Sequence, residues 1–342
     1  MKTLINKFTL LILAIVAVSC SKDADVDAEK PTATVKDVYA VGHQTIENIQ
    51  HATLWKNGVP TILNNTANAT DANSVFVTGN DVYVAGYEIV NSIRVAKYWK
   101  NGNETTLSDP TLYGDTYDIA VSGNDVYVVG SRILVLYGPD VPTLWKNGVA
   151  TDLTRSNNSY DARATGVVLS GTDVHICGDE QTDNNTEVRM AKYWKNGVAT
   201  NLTTGRYLTS VNAIAIAGSD IYILGSEGYR ESKYWKNGEP ILFSNNSNLF
   251  TTDIATNGSD IYLSGYLSGK AIFWKNESPT TLSTYDTKTF GIAVAPNGDT
   301  YVVGSENTTK QMARIWVNGV QATLSDGNST ESVAWDVFLT YN

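Results

Sequence analysis

From residue 36 to residue 342 the apolar positions fall in short alternating bursts, not in the 3.6-residue rhythm of a helix. The bursts are rich in Val, Ile, Tyr, Phe and Trp. Gly, Asn, Asp and Thr bound them, the composition of strands and turns. One burst reads Asp37-Val38-Tyr39-Ala40-Val41-Gly42 and recurs from Asp81, Asp125, Asp173, Asp220, Asp260 and Asp299. Both of its alternating sets are apolar, as in Val126 and Val128 against Tyr127 and Val129. Such a strand is expected to be covered on both faces.

A second burst follows each copy, clearest as Lys97-Tyr98-Trp99-Lys100-Asn101-Gly102. Its tryptophans are Trp55, Trp99, Trp145, Trp194, Trp235, Trp274 and Trp316, at gaps of 44, 46, 49, 41, 39 and 42 residues. That period is the size of a propeller blade. Upstream of most Asp copies lies a third burst, such as Asp118-Ile119-Ala120-Val121, joined by Gly-Asn, Gly-Thr or Gly-Ser. After the Trp burst, Asn-Gly leads into a short fourth one, such as Thr105-Thr106-Leu107. Both links are hairpin turns. Glu277 replaces the turn glycine in the sixth repeat, so a looser turn is expected there.

Each unit is therefore four antiparallel strands, one blade. The first unit lacks an inner strand, and residues 337–342 align with residues 75–80 to supply it. The pattern predicts an all-β fold over 36–342. It is a seven-bladed β-propeller of four-stranded antiparallel blades, closed by the C-terminal strand pairing into blade one. Ala120, Ala215, Ala255 and Ala293 are expected near the crowded axis, with Tyr and Trp filling the widening gaps further out.

The N-terminus adds an address. Lys2 and Lys7 precede an apolar run from Phe8 to Val18, too short for a good membrane span, which ends in Ala17-Val18-Ser19-Cys20. This resembles the lipobox of bacterial lipoproteins, and implies a signal peptide over 1–19 and a lipidated Cys20. Residues 20–35 then form a small, acidic, lipid-anchored tether. The Tyr-Trp-Lys-Asn-Gly repeat resembles that of Bacteroidota lipoproteins. The resemblance implies an outer-membrane lipoprotein at the cell surface or in the periplasm, and no particular activity. The WD40 and kelch marks are missing.

Composition narrows the partners. The chain has 342 residues, 42% hydrophobic and 18% charged, and a formal charge of −10. An acidic surface argues against nucleic acid. Two cysteines, Cys20 and Cys177, exclude a disulfide framework. The membrane is expected to be met only through the lipid, and the protein to be a monomer.

Candidate chemistry lies where the repeat stops repeating. The links between first and second strands, and between third and fourth, are short and uniform on one face. The links on the opposite face vary, and binding residues favour variable loops on a rigid scaffold. That face carries Tyr117, Tyr160, Arg163, Arg206, Tyr207, Tyr229 and Arg230. Aromatic and charged groups together suit a glycan or an envelope protein, although many of the tyrosines there are expected to cap the ends of the blade packing. Asp118, Asp253 and Asp336 share one position on three inner strands and should ring the channel mouth. They could bind a ligand or a cation, act as acid and base, or cap loop backbone.

Other patterns are expected to be structural. His175 replaces the repeated Tyr beside Cys177, His43 and His51 alone make no zinc site, and the repeated Asp stabilises a turn. No nucleophile elbow, phosphate loop or dinucleotide fingerprint is present. No metal or cofactor is expected. The expected function is a non-enzymatic binding scaffold. A glycan hydrolase or lyase using the channel carboxylates, and a structural subunit of an envelope complex, are the alternatives.

Overall fold

The computed structural model describes residues 33–64, 66–156, 160–182, 188–228, 231–283, 286–324 and 328–342. The signal peptide, Cys20, nearly all of the tether, Tyr229 and Arg230 lie outside the described residues. Among those described, no helix is long and apolar enough to cross a membrane.

The strands form seven four-stranded sheets, each antiparallel throughout. Blade three is typical, with Gly114–Ser122 innermost, then Asp125–Arg132, Val141–Lys146 and Val149–Asp152. In blade one the innermost strand is Glu331–Tyr341, paired antiparallel to Val35–Ile46. The end of the chain thus closes the ring onto its beginning, as the alignment predicted.

The core is divided between the blades. Seven apolar clusters each join residues of two neighbouring blades. One unites Tyr83, Ala85 and Leu107 of blade two with Ile119, Val128 and Trp145 of blade three. All seven repeat tryptophans are buried, none more than 6% exposed. Each covers roughly 150–250 Å², worth about 4–6 kcal/mol of gross burial. The indole N–H of Trp145 donates to the Leu107 carbonyl at 2.9 Å and that of Trp194 to the Thr154 carbonyl at 3.0 Å, stitching blade three to blade two and blade four to blade three.

The hairpin face is held by one repeated knot. In blade three the Asn147 side chain donates to Asp125 and accepts the N–H of Val126, both at 2.8 Å. Lys146 reaches the other oxygen of Asp125 at 2.7 Å and lies over the Tyr127 ring. All seven blades have the Asn–Asp and Asn–backbone bonds. Six also have the Lys–Asp pair, and blade seven carries Val317 in its place. The repeated Asp does stabilise a turn, but the turn it holds is the Asn-Gly hairpin beside it. In the six blades that have the lysine, Lys and then Asn hold the carboxyl below its ordinary value, as at Asp81 and Asp125.

The knot requires Asn in the left-handed region, at φ 53° for Asn147, followed by Gly148 at 81°. These are the two positive angles of a type I′ turn. The sixth repeat corrects the expectation of a looser turn. Asn276 and Glu277 adopt the same conformation at φ 48° and 71°, and Asn276 keeps its bond to Asp260. Glu277 therefore carries backbone strain. Glu277→Gly is expected to raise unfolding stability by roughly 0.5–1 kcal/mol, the strain relieved less the entropy that glycine loses on folding. Urea denaturation of the two proteins measures it, and equal or lower stability of the variant would refute the strain.

Candidate functional site

Every inner strand contains one extra residue at the same level. Pairing skips Tyr117 between Thr116 and Asp118, and likewise Asn73, Thr165, Asn212, Thr252, Phe290 and Trp335. These are β-bulges, which bend a strand and re-aim its side chains. The last glycine of each Asp-Val-Tyr motif faces the bulge. A Cβ on Gly130 would collide with the Asp115 carbonyl, and the other six copies meet the equivalent carbonyl of their own inner strand.

The residue after the bulge ties its blade to the next. Asp118 accepts its own neighbour's N–H, from Ile119 at 2.8 Å, and the Val167 N–H of blade four at 2.7 Å. Asp253 does the same with Ile254 at 2.7 Å and with Ile292 of blade seven at 2.9 Å. Asp336 does so with Val337 at 2.7 Å and with Val75 of blade two at 2.9 Å. Ser74 donates toward both Asp118 and Asp336, at 2.8 and 2.9 Å.

Two further seams use the bulged residue itself. The Asn73 amide reaches the Thr116 carbonyl of blade three, and that of Asn212 the Thr251 carbonyl of blade six, both at 2.6 Å. At the last two seams glycine permits close approach. A Cβ on Gly166 would press on Ile214, and one on Gly291 on the backbone of Trp335 and Asp336.

The structure therefore brings Asp118, Asp253 and Asp336 together around one channel. They border a cavity of about 630 Å³ toward the hairpin face, whose walls include Phe76, Ala120 and Phe338. They also border one of about 150 Å³ among the bulge residues. Burial pushes Asp118 up to about 7 and Asp253 up to about 8, and raises Asp336 as well. The N–H donors pull all three the other way. None of them forms an ion pair among the described residues. Nor do any three His, Cys, Asp or Glu side chains among those residues converge to hold a metal ion.

Around the variable face stand three polar clusters that the sequence does not flag. Asp71 takes His43 Nδ1 at 3.1 Å and the Trp335 indole at 3.0 Å, both from blade one. Asp115 takes Arg94 of blade two at 2.7 Å and Tyr113 at 3.1 Å. Asp179, wholly buried, takes Arg163 and Arg189, and the Val211 N–H of blade five at 3.1 Å.

The other expected residues fall in different places. Tyr117, beside Asp118, lines the narrow cavity. Arg163 lines a groove of about 240 Å³ across blades four to six with Arg189, Ser210, Ser226 and Phe250. Arg206 and Tyr207 line an adjoining cavity of about 540 Å³, which shares Leu208 with the groove. Tyr160 is exposed on the loop after Val149–Asp152 and lines none of these cavities.

No protein-family model and no curated protein matches the chain. Among solved structures it is similar to a prolyl endopeptidase, with TM-score 0.52 and 14% identity over 91% of this chain and 50% of that one. It is similar to a post-proline cleaving enzyme from Rickettsia typhi, at 0.52 and 11%, over 88% and 53%. It is also similar to an acylaminoacyl peptidase from Pyrococcus horikoshii, at 0.53 and 11%, over 86% and 52%. The chain thus spans about half the length of these proteins, and at such identity the likeness is one of fold.

Two outcomes follow from this geometry. Gly130→Ala should destabilise by about 3 kcal/mol or more, since the collision is with backbone, and a loss under about 1 kcal/mol would refute the close approach. The second concerns pH. The folded-state pKa of Asp253 lies above the ordinary carboxylate value, so between about pH 4 and pH 8 the folded protein holds a proton that the unfolded chain releases. This contribution to stability is present below that window and is lost as pH rises through it. Asp253→Asn cannot ionise, so its urea midpoint should fall less than that of the wild type from about pH 6 to about pH 9. Parallel curves would refute the shift.

Proposed function

We propose that the chain is a non-enzymatic binding module whose variable-loop face takes a glycan or a protein partner. The observation that carries this is the difference between the two faces. The hairpin face repeats one hydrogen-bonded knot seven times and presents two-residue turns. The variable face holds the groove with Arg163 and Phe250, the adjoining cavity with Arg206 and Tyr207, and a run of exposed apolar residues from Leu134 to Tyr137. Large exposed side chains beside concave polar sites are the usual make-up of a recognition surface.

The same reading places the protein at the cell envelope, held by a lipid on Cys20. The variable face would then receive its partner from solution or from a neighbouring envelope component. The fold is shared with parts of peptidases, and fold does not carry activity. The non-enzymatic reading rests on how the channel carboxylates are used. Both oxygens of Asp118, Asp253 and Asp336 already accept backbone N–H groups, which is how a structural carboxylate is held.

The test is a glycan panel together with a pull-down of envelope proteins, run on three proteins. Tyr207→Glu alters the variable face, where Tyr207 is 56% exposed, and Val198→Glu alters the hairpin side, where Val198 is 71% exposed. Binding should be lost in the first variant and kept in the second. A wild-type protein that binds nothing in either assay, or binding that Val198→Glu abolishes and Tyr207→Glu does not, would overturn the reading.

A further inference from the structure

The groove across blades four to six is the place where chemistry and shape on the variable face agree best. Asp179 is fully buried at its base and holds two guanidinium groups, those of Arg163 and Arg189. Their side chains remain 38% and 20% exposed, and both line the groove. Asp179 also accepts the Val211 N–H of the next blade, so the carboxylate that orients the arginines is itself fixed by a blade seam. Two forked donors are therefore held in place before any ligand arrives, which reduces the entropy that binding costs.

The rest of the lining is complementary. One wall carries hydroxyls, with Ser210 and Ser226 bonded to each other at 2.9 Å. Opposite stands Phe250, stacked on Tyr266 with ring centroids 5.0 Å apart. Among the described residues no carboxylate lines the groove. Among the described residues the acidic groups nearby include Asp140 and Asp161, with the Asp140 N–H donating to Asp161 at 3.0 Å, and Glu227 beside Ser226, which Lys233 holds at 2.8 Å. Burial, then the Asp161 charge, pushes the Asp140 carboxyl up to about 6. The adjoining cavity continues the trough past Leu208 to the exposed ring of Tyr207.

We propose that this groove binds a carboxylated saccharide, a hexuronate unit whose carboxylate is taken by Arg163 and Arg189 and whose ring hydroxyls meet Ser210 and Ser226. The next sugar ring lies toward Tyr207. An arginine fork matches the two oxygens of a carboxylate, and charge-assisted bonds are stronger than neutral ones. Hydroxyl partners and a flat aromatic face suit a sugar ring better than an extended peptide, which would seek a free strand edge. This rests on the binding-module reading and names the ligand class of its face.

The test needs no variant at first. The full chain is titrated with oligomers of galacturonate and of glucuronate, and with the methyl esters of the same oligomers. The esters keep the ring and lose the charge. At least one free acid should bind about tenfold or more tighter than its ester, the difference a charged hydrogen bond makes. Ser226→Phe, which fills the groove, should abolish binding. Arg189→Lys keeps a charge against Asp179 but loses the fork, and should bring acid and ester close together. Should Arg189→Lys fail to fold, the wild-type ester comparison and Ser226→Phe still decide. Equal binding of acid and ester, lost in Ser226→Phe, would overturn the carboxylate assignment and leave a saccharide-binding module standing. Binding that Ser226→Phe does not affect would overturn the groove. No binding of any uronate would overturn this assignment, while the binding-module reading would then be decided by the panel and pull-down with Tyr207→Glu.

Discussion

One extra residue in each inner strand governs the variable half of this propeller. Because side chains alternate along a strand, a one-residue insertion flips every position beyond it. Below the bulge the inner strands present Ala120, Phe76 and Phe338 to the wide cavity. At the bulge they present Tyr117, Asn73, Phe290 and Trp335 to the narrow one. The bulge also pushes a carbonyl against the second strand, and only a residue without a Cβ fits there. The glycine that ends every Asp-Val-Tyr motif is thus the partner of the bulge, set by the nearness of the inner-strand backbone.

The bulge also determines how the blades are joined. Apolar layers fill the gaps between blades, but apolar contact is non-directional and does not fix the height of one blade against the next. The polar latches do. Asp336, Asn73, Asp118, Asn212 and Asp253 bridge five seams at the bulge level, and Gly166 and Gly291 let the other two close directly. At the opposite end the Asn–Asp knot fixes each blade internally. The knot at one end acts within each blade, and the latches at the bulge level act between blades.

Most of the fold was legible in the sequence, because each blade repeats the same turn chemistry. Asn147-Gly148 and its five Asn-Gly counterparts announce the outer hairpin, and the alignment of residues 337–342 with 75–80 announces the closure. Of the candidate site, the position of Asp118, Asp253 and Asp336 on the channel was legible, but their partners were not. Those partners are backbone N–H groups of a neighbouring blade, and no residue type reports a backbone N–H. The bulge had a signal that strand alternation alone did not resolve, a glycine inside a two-sided apolar strand. The Asp71, Asp115 and Asp179 clusters join residues of different blades, as Arg94 and Asp115 do across 21 positions, so no local pattern carries them.

The latches bear on where a ligand can be recognised. A carboxylate that accepts an N–H on both oxygens has its strongest directions occupied, and a newcomer in the channel would have to compete with the seams that hold the ring together. Asp179 differs in this respect. It too secures a seam, through Val211, but its remaining capacity is spent on two arginines whose side chains still reach solvent. At the axis the buried carboxylate ends the chain of interactions, whereas at blade four it passes the interaction outward as oriented positive charge. A rigid anchor that leaves donors facing a groove is the arrangement recognition requires. The same acidic residue type thus serves closure at the centre of the ring and supports an open site away from it.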